Sequence, residues 1–107
     1  MTQMVEREKR VGLHLPLDVS GQDAVGAPFS ESTRSLNISG GGILFESRRN
    51  LLVGSHLTLA IQLPPALQKH FGSKRVYRAR AVICRVERFE GEEVSRIGAR
   101  FLGEVDR

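Results

Sequence analysis

The sequence predicts an all-β domain, a barrel or closed sandwich of about six short strands. Apolar residues alternate with polar ones in run after run, turn residues recur at intervals of roughly ten, and helical periodicity is almost absent. Residues 1–10, with Glu6, Arg7, Glu8, Lys9 and Arg10, read as a flexible basic arm. A first strand is expected over Val11–Val19, where Leu13, Leu15 and Leu17 alternate with His14, Pro16 and Asp18. Pro16 cannot donate to a ladder, which places this strand at an edge or beside a bulge. Ser20–Ser32 is rich in Gly, Ser, Pro and Asp and reads as a loop. Thr33–Ser39 is the second strand, Gly40, Gly41 and Gly42 interrupt it, and Ile43–Glu46 resumes as a third.

His56–Leu63 alternates again, with Leu57, Leu59 and Ile61 on one face, and Pro64 and Pro65 end it. Ala66–Phe71 has room for one or two helical turns. Arg75–Phe89 is the longest strand expected. Its apolar set shifts from Ala79, Ala81 and Ile83 to Val82, Cys84 and Val86, so both faces are partly buried or a bulge switches them. Glu90-Gly91-Glu92 is a hairpin turn, and Val94–Leu102 returns as the antiparallel partner. The domain plan is an arm over 1–10, a β-domain over 11–103 and a tail over 104–107.

The chain of 107 residues is long enough for one core and too short for two domains. With 40% hydrophobic and 26% charged residues it is globular rather than disordered. The net charge is +4, and 13 of the 16 cations are arginine. Arginine's planar fork suits phosphate and guanine, so an anionic partner is expected. A single cysteine, Cys84, excludes an internal disulfide, and no apolar run is long enough to span a bilayer. The N-terminus lacks the apolar middle of a signal peptide, so the expected setting is cytoplasmic. The absence of Trp and the single Tyr argue against a surface that stacks many single-stranded bases.

The usual constellations of catalysis do not form. His14, His56 and His70 have no metal-ligand spacing, and Cys84 reads as a small core residue. Gly40-Gly41-Gly42 is no phosphate loop, because neither Lys-Ser nor Lys-Thr nor a helix follows. Glu87, Glu90, Glu92 and Glu93 gather at a hairpin tip as a solvated turn. No enzyme activity, metal or cofactor is expected. The informative segment is Leu36–Phe45. Asn37 and Ser39, two apart, point to one side of a strand, and the glycines beside them supply positive φ and close backbone approach. A short amide and a hydroxyl beside bare backbone form a polar platform for the edge of a flat heterocycle, or else only a strand, a glycine bulge and a strand.

Asn37-x-Ser39-x-x-Gly42 resembles the Asp/Asn-x-Ser-x-x-Gly motif of PilZ domains, bacterial receptors for cyclic di-GMP. The Lys9-Arg10 cluster ahead of the first strand and Ile97-Gly98-Ala99-Arg100-Phe101, similar to the family's closing Gly-x-x-Phe strand, extend the resemblance from about Glu8 to Phe101. It implies a six-stranded antiparallel β-barrel that binds cyclic di-GMP and relays its state to a protein partner. The candidate ligand residues are Lys9, Arg10, His14, Asn37, Ser39 and Gly42 from the resemblance, with Arg7 as a substitute for the missing arginine and Arg78 from the basic face it shares with Arg80. An arginine would fork onto guanine O6 and N7, a lysine would only neutralise phosphate, and Asn37 and Ser39 would meet a guanine edge.

The family's Arg-x-x-x-Arg is incomplete here. Aligning Lys9-Arg10 with its first basic pair puts Leu13 at the last arginine; shifting by one gives Arg10-x-x-x-His14. A degenerate domain that has lost nucleotide binding and serves as a protein–protein adaptor is therefore the alternative. A third reading, a basic nucleic-acid-binding barrel, draws on Lys74, Arg75, Arg78, Arg80, Arg85, Arg88, Arg96 and Arg100. It lacks a recognition element for duplex DNA, and nucleic acid is not the expected partner. The plainer account of those arginines is pairing with neighbouring acids.

Overall fold

The computed structural model describes residues 13–105, so Arg7, Lys9 and Arg10 lie outside the described residues. Strands β1 (Pro16–Gln22) and β2 (Pro28–Ile38) form a hairpin; β3 (Gly42–Ser47) and β4 (His56–Gln62) follow. A short helix α1 (Pro65–Gln68) and a 3-10 turn, Lys69–Phe71, lead to the long hairpin of β5 (Val76–Arg88) and β6 (Ser95–Glu104). Every pairing is antiparallel, and β1–β4 pairing closes the order β1-β2-β3-β6-β5-β4 into a barrel. The expected all-β class and six antiparallel strands are what the chain forms.

Period-two alternation fills the interior. Leu17 and Val19, Ile43 and Phe45, Leu57, Leu59 and Ile61, Ala79, Ala81 and Ile83, and Ile97 and Ala99 all turn inward and are buried. Each buried Leu, Ile, Val or Phe contributes roughly 1.5–3 kcal/mol, so the inward rows supply most of the stabilisation. Leu51, in the β3–β4 loop, is 1% exposed and joins this core, while Arg88 holds the loop by donating to the Leu51 carbonyl at 3.2 Å. After β4, Pro65 starts α1, where its missing N–H leaves no helical acceptor unserved. The 3-10 turn then brings Phe71 to 4.9 Å from the Tyr77 ring, and Tyr77 meets Phe101 edge-on at 5.5 Å.

Several elements differ from the sequence expectation. β1 begins at Pro16 rather than Val11, and Pro16 takes the first strand position instead of an edge, since β1–β4 pairing starts only at Leu17. Ser20–Ser32 is not one loop. The β1–β2 pairing runs out to Gln22 and Pro28, with a tight turn at its tip. Asp23 Oδ1 accepts from the Val25 and Ala27 amides there, and Gly26 adopts φ 83°. The segment is polar because this hairpin faces solvent on its outer side, which composition alone does not separate from a loop.

Three bulges explain the irregular alternation. Register shifts leave Leu36 on β2, Cys84 on β5 and Leu102 on β6 as extra residues. The one at Cys84 carries β5 from Ala79, Ala81 and Ile83 inward to Val86 inward, the phase switch its apolar pattern suggests. It also corrects the assignment of Cys84 to the core: the thiol is exposed.

The glycine break also works differently from the expectation. Neither Gly40 nor Gly42 lies in the left-handed region. Gly42 is needed for space, because a Cβ there would stand 2.5 Å from the Ala99 carbonyl oxygen on β6, whereas one at Gly40 would meet nothing within 4 Å. Gly42→Ala should therefore destabilise the fold by about 1–3 kcal/mol. Gly40→Ala should leave the urea-unfolding midpoint nearly unchanged, and equal midpoints for both variants would contradict the seam geometry.

Burial first, and then the Glu104 carboxylate, push the Tyr77 phenol above its usual value. Folding thus favours the neutral phenol. Its contribution is intact below the unfolded-state value of about 10 and is lost as pH rises through the folded value. Unfolding curves across an alkaline pH series should show stability falling past that point, with Tyr77→Phe flattening the fall.

Candidate functional site

The bulge at Leu36 decides what the end of β2 presents. Before it, Ser35 faces inward across from Phe45; after it, Asn37 pairs with the outward Leu44. The bulge at Cys84 does the same on β5, so that Arg85 turns outward opposite Gly98. A row across four strands results on the barrel exterior: Asn37, Leu44, Gly98 and Arg85. The next row holds Gly42, Arg100 and Val82, with the Ser39 amide bonded to the Gly42 carbonyl at 2.9 Å.

Two glycines in adjacent rows leave a depression in the outer wall. It is an open groove of about 600 Å³ whose lining includes Ser39, Gly42, Gly98, Cys84, Arg85 and Arg100. A Cβ at Gly98 would make only ordinary contact with the Arg85 Cβ at 3.5 Å, so the space above that residue is open rather than filled. Ser39 is 4% exposed, and its hydroxyl accepts from the Gly41 amide at 3.2 Å. The Gly41 carbonyl accepts from the Phe101 amide at 2.9 Å, which ties the β2–β3 turn to β6 at the groove's end.

The electrostatics are one-sided. Arg85 and Arg100 line the groove, and no carboxylate among the described residues does. Arg85 lies 3.6 Å from Glu87, with both side chains substantially exposed, a pairing worth at most about 1 kcal/mol. Arg78, Arg80 and Arg100 have no ion pair among the described residues, so pairing with acids does not account for them. Cations above a glycine floor, with a hydroxyl and an amide at one edge, suit a flat anionic ligand. Among the described residues no group of three or more His, Cys, Asp or Glu could hold a metal ion, and no helix is long and apolar enough to cross a membrane.

Arg7, Lys9 and Arg10 lie outside the described residues, and the other five expected ligand residues fall into three groups. Ser39 and Gly42 line the groove, and Asn37 stands beside it, paired with Leu44 of the lining. His14 stands exposed where the chain enters the barrel, its Nδ1 donating to the Ser35 carbonyl at 3.1 Å. Arg78 is exposed on the outer face of β5, across from Ala60, and does not line the groove. Sequence reasoning passed over Gly98, Arg100 and Arg85 as ligand residues. The first two were within reach, because inward Ile97 and Ala99 force Gly98 and Arg100 outward side by side. Arg85 was not, since its direction depends on the bulge.

The family model for the PilZ domain matches residues 5–107. A search of curated proteins gives no match. The inhibitor of motility MotI/DgrA of Bacillus subtilis is similar at TM-score 0.71 and 20% identity, over 98% of this chain and 45% of its own. The PilZ domain of YcgR from Escherichia coli, solved with c-di-GMP, is similar at 0.60 and 16% identity, over 94% and 79%. MrkH of K. pneumonia in its apo state gives 0.61 and 15%, over 94% of this chain and 44% of its own. The chain thus spans less than half of MotI/DgrA and of MrkH, and at these identities the likeness is one of fold. With the family model covering nearly its whole length, the chain belongs to the PilZ domain family.

Proposed function

We propose that this PilZ domain is a cytoplasmic receptor for cyclic di-GMP that relays the bound state to a protein partner. The observation that carries the reading is the groove, which no carboxylate lines among the described residues, with Ser39, Gly42 and Arg100 in one lining and Asn37 beside it. A structural relative, the YcgR PilZ domain, was solved with this dinucleotide. Arg10 supplies the guanine fork, Lys9 or Arg7 neutralises phosphate, and Asn37 and Ser39 meet a guanine edge. Arg100 and Arg85 add positive charge from the opposite wall, and Arg78 extends it beyond the groove. The bound dinucleotide, presented at the barrel's outer face, gives the partner a surface that the free protein lacks.

A second reading, an adaptor that no longer binds nucleotide, is favoured by Leu13 or His14 standing where the family's second arginine belongs. Calorimetric titration with cyclic di-GMP separates the two. The first reading expects binding, weakened roughly ten- to a hundred-fold by Arg10→Ala or Ser39→Ala. It also expects binding to be lost in Gly98→Leu, which fills the groove from an outward position. No heat at micromolar ligand, or binding indifferent to all three substitutions, supports the adaptor instead. Affinity for duplex DNA that matches or exceeds that for the dinucleotide and falls steeply with salt would favour the nucleic-acid reading.

A further inference from the structure

Asn37, Leu44, Gly98 and Arg85 stand in one row across β2, β3, β6 and β5, with an amide at one end and a guanidinium at the other. Three strand spacings separate the two ends, about 14 Å of backbone. Between them the floor is low and apolar, because Leu44 is half-buried and Gly98 has no side chain. Arg85 uses that gap. A Cβ at Gly98 would lie 3.5 Å from the Arg85 Cβ and 3.9 Å from its Nε, so the arginine stem bends over the empty position instead of standing straight out. Its guanidinium keeps its donors. The Nε is 3.6 Å from a Glu87 carboxylate oxygen, too long for a hydrogen bond, and no acceptor among the described residues takes one from this side chain.

A planar fork of parallel N–H donors matches two acceptors spaced like O6 and N7 of guanine. Phosphate oxygens offer a similar pair, but a phosphate has no flat face to lay on Leu44 and Gly98, whereas a purine has. We propose that Arg85 is a specificity-determining residue of the receptor: it forks onto O6 and N7 of one guanine whose ring lies over Leu44 and Gly98. The proposal rests on the cyclic di-GMP reading above and deepens it. Cyclic di-GMP has two guanines to be read, and the incomplete Arg-x-x-x-Arg leaves this chain one arginine short ahead of the barrel. The bulge at Cys84 makes β5 the second source, since in an unbroken strand Arg85 would follow inward Ile83 to the interior.

A mutant–ligand cycle on the full chain tests the assignment. The parent protein and Arg85→Ala are titrated calorimetrically with cyclic di-GMP and with its 7-deazaguanine analogue, in which carbon replaces each N7. Arg85→Ala should weaken cyclic di-GMP binding about tenfold. The penalty that the analogue suffers on the parent should shrink by a similar factor in Arg85→Ala, because the donor to N7 is already gone. Arg75→Ala removes an exposed cation that does not line the groove, and should leave both the affinity and the penalty unchanged. An equal penalty in the parent and in Arg85→Ala means a phosphate contact or general charge, and overturns the assignment; so does unchanged affinity in Arg85→Ala, or an equal loss in Arg75→Ala. In each of those cases the parent still binds, and the receptor reading stands. Failure of the parent to bind cyclic di-GMP overturns the receptor reading and the role of Arg85 with it. Should Arg85→Ala not fold, Arg85→Met keeps most of the stem without the donors and carries the same cycle.

Discussion

The seam between β3 and β6 is the contact on which the site depends. Gly42 lies so close to the Ala99 carbonyl that even a methyl group would stand at 2.5 Å from it. That proximity holds Arg100 directly across from Gly42 and brings the Gly41 carbonyl within 2.9 Å of the Phe101 amide. The β2–β3 turn is thereby fixed from both sides, and with it Ser39. A wider seam would separate Ser39 from Arg100 and divide the groove between two independent strand pairs. The glycine of the Asn37-x-Ser39-x-x-Gly42 segment is thus a packing requirement of the barrel first. Any service to a ligand comes from the surface that this packing brings together.

Bulges do the rest of the aiming. In an unbroken strand, inward Ser35 would be followed by outward Leu36 and inward Asn37; the extra residue leaves Asn37 outward at the groove's edge. On β5 the bulge at Cys84 makes two consecutive residues outward and hands the groove its Arg85. Each bulge forgoes regular pairing at one residue, a small local loss beside a core that extends through all six strands. The interior rows stay apolar while the exterior gains a polar, cationic patch.

This division also explains what could be read before the structure was known. Leu57, Leu59 and Ile61, or Ile97 and Ala99, announce their strands because burying one face imposes a period of two. The motif residues Asn37, Ser39 and Gly42 could be brought together because they adjoin one turn. Long-range geometry was not legible. Nothing local distinguishes Cys84 as a bulge residue from Cys84 as a core residue, since the outcome depends on pairing with Gly98 across the hairpin. The extent of the β1–β2 hairpin was hidden for a related reason: with Phe29 alone buried among residues 20–32, that stretch has loop composition.

The net charge of +4 says little by itself, because arginines occur all around the barrel. What matters is where carboxylates are missing. Glu87, Glu90, Glu92 and Glu93 gather about the β5–β6 tip, and Glu104 pairs with Lys74, so the acids among the described residues stay out of the groove. Asn37 continues the same logic. Toward a guanine edge its amide is a poorer acceptor than a carboxylate, which could take both N1–H and N2–H with a charge. Toward phosphates, a carboxylate there would add repulsion, and the amide removes it. A site that lacks one arginine of the usual pair gains from having one less negative charge to overcome. On the receptor reading, an amide rather than a carboxylate at Asn37 then partly offsets the incomplete Arg-x-x-x-Arg.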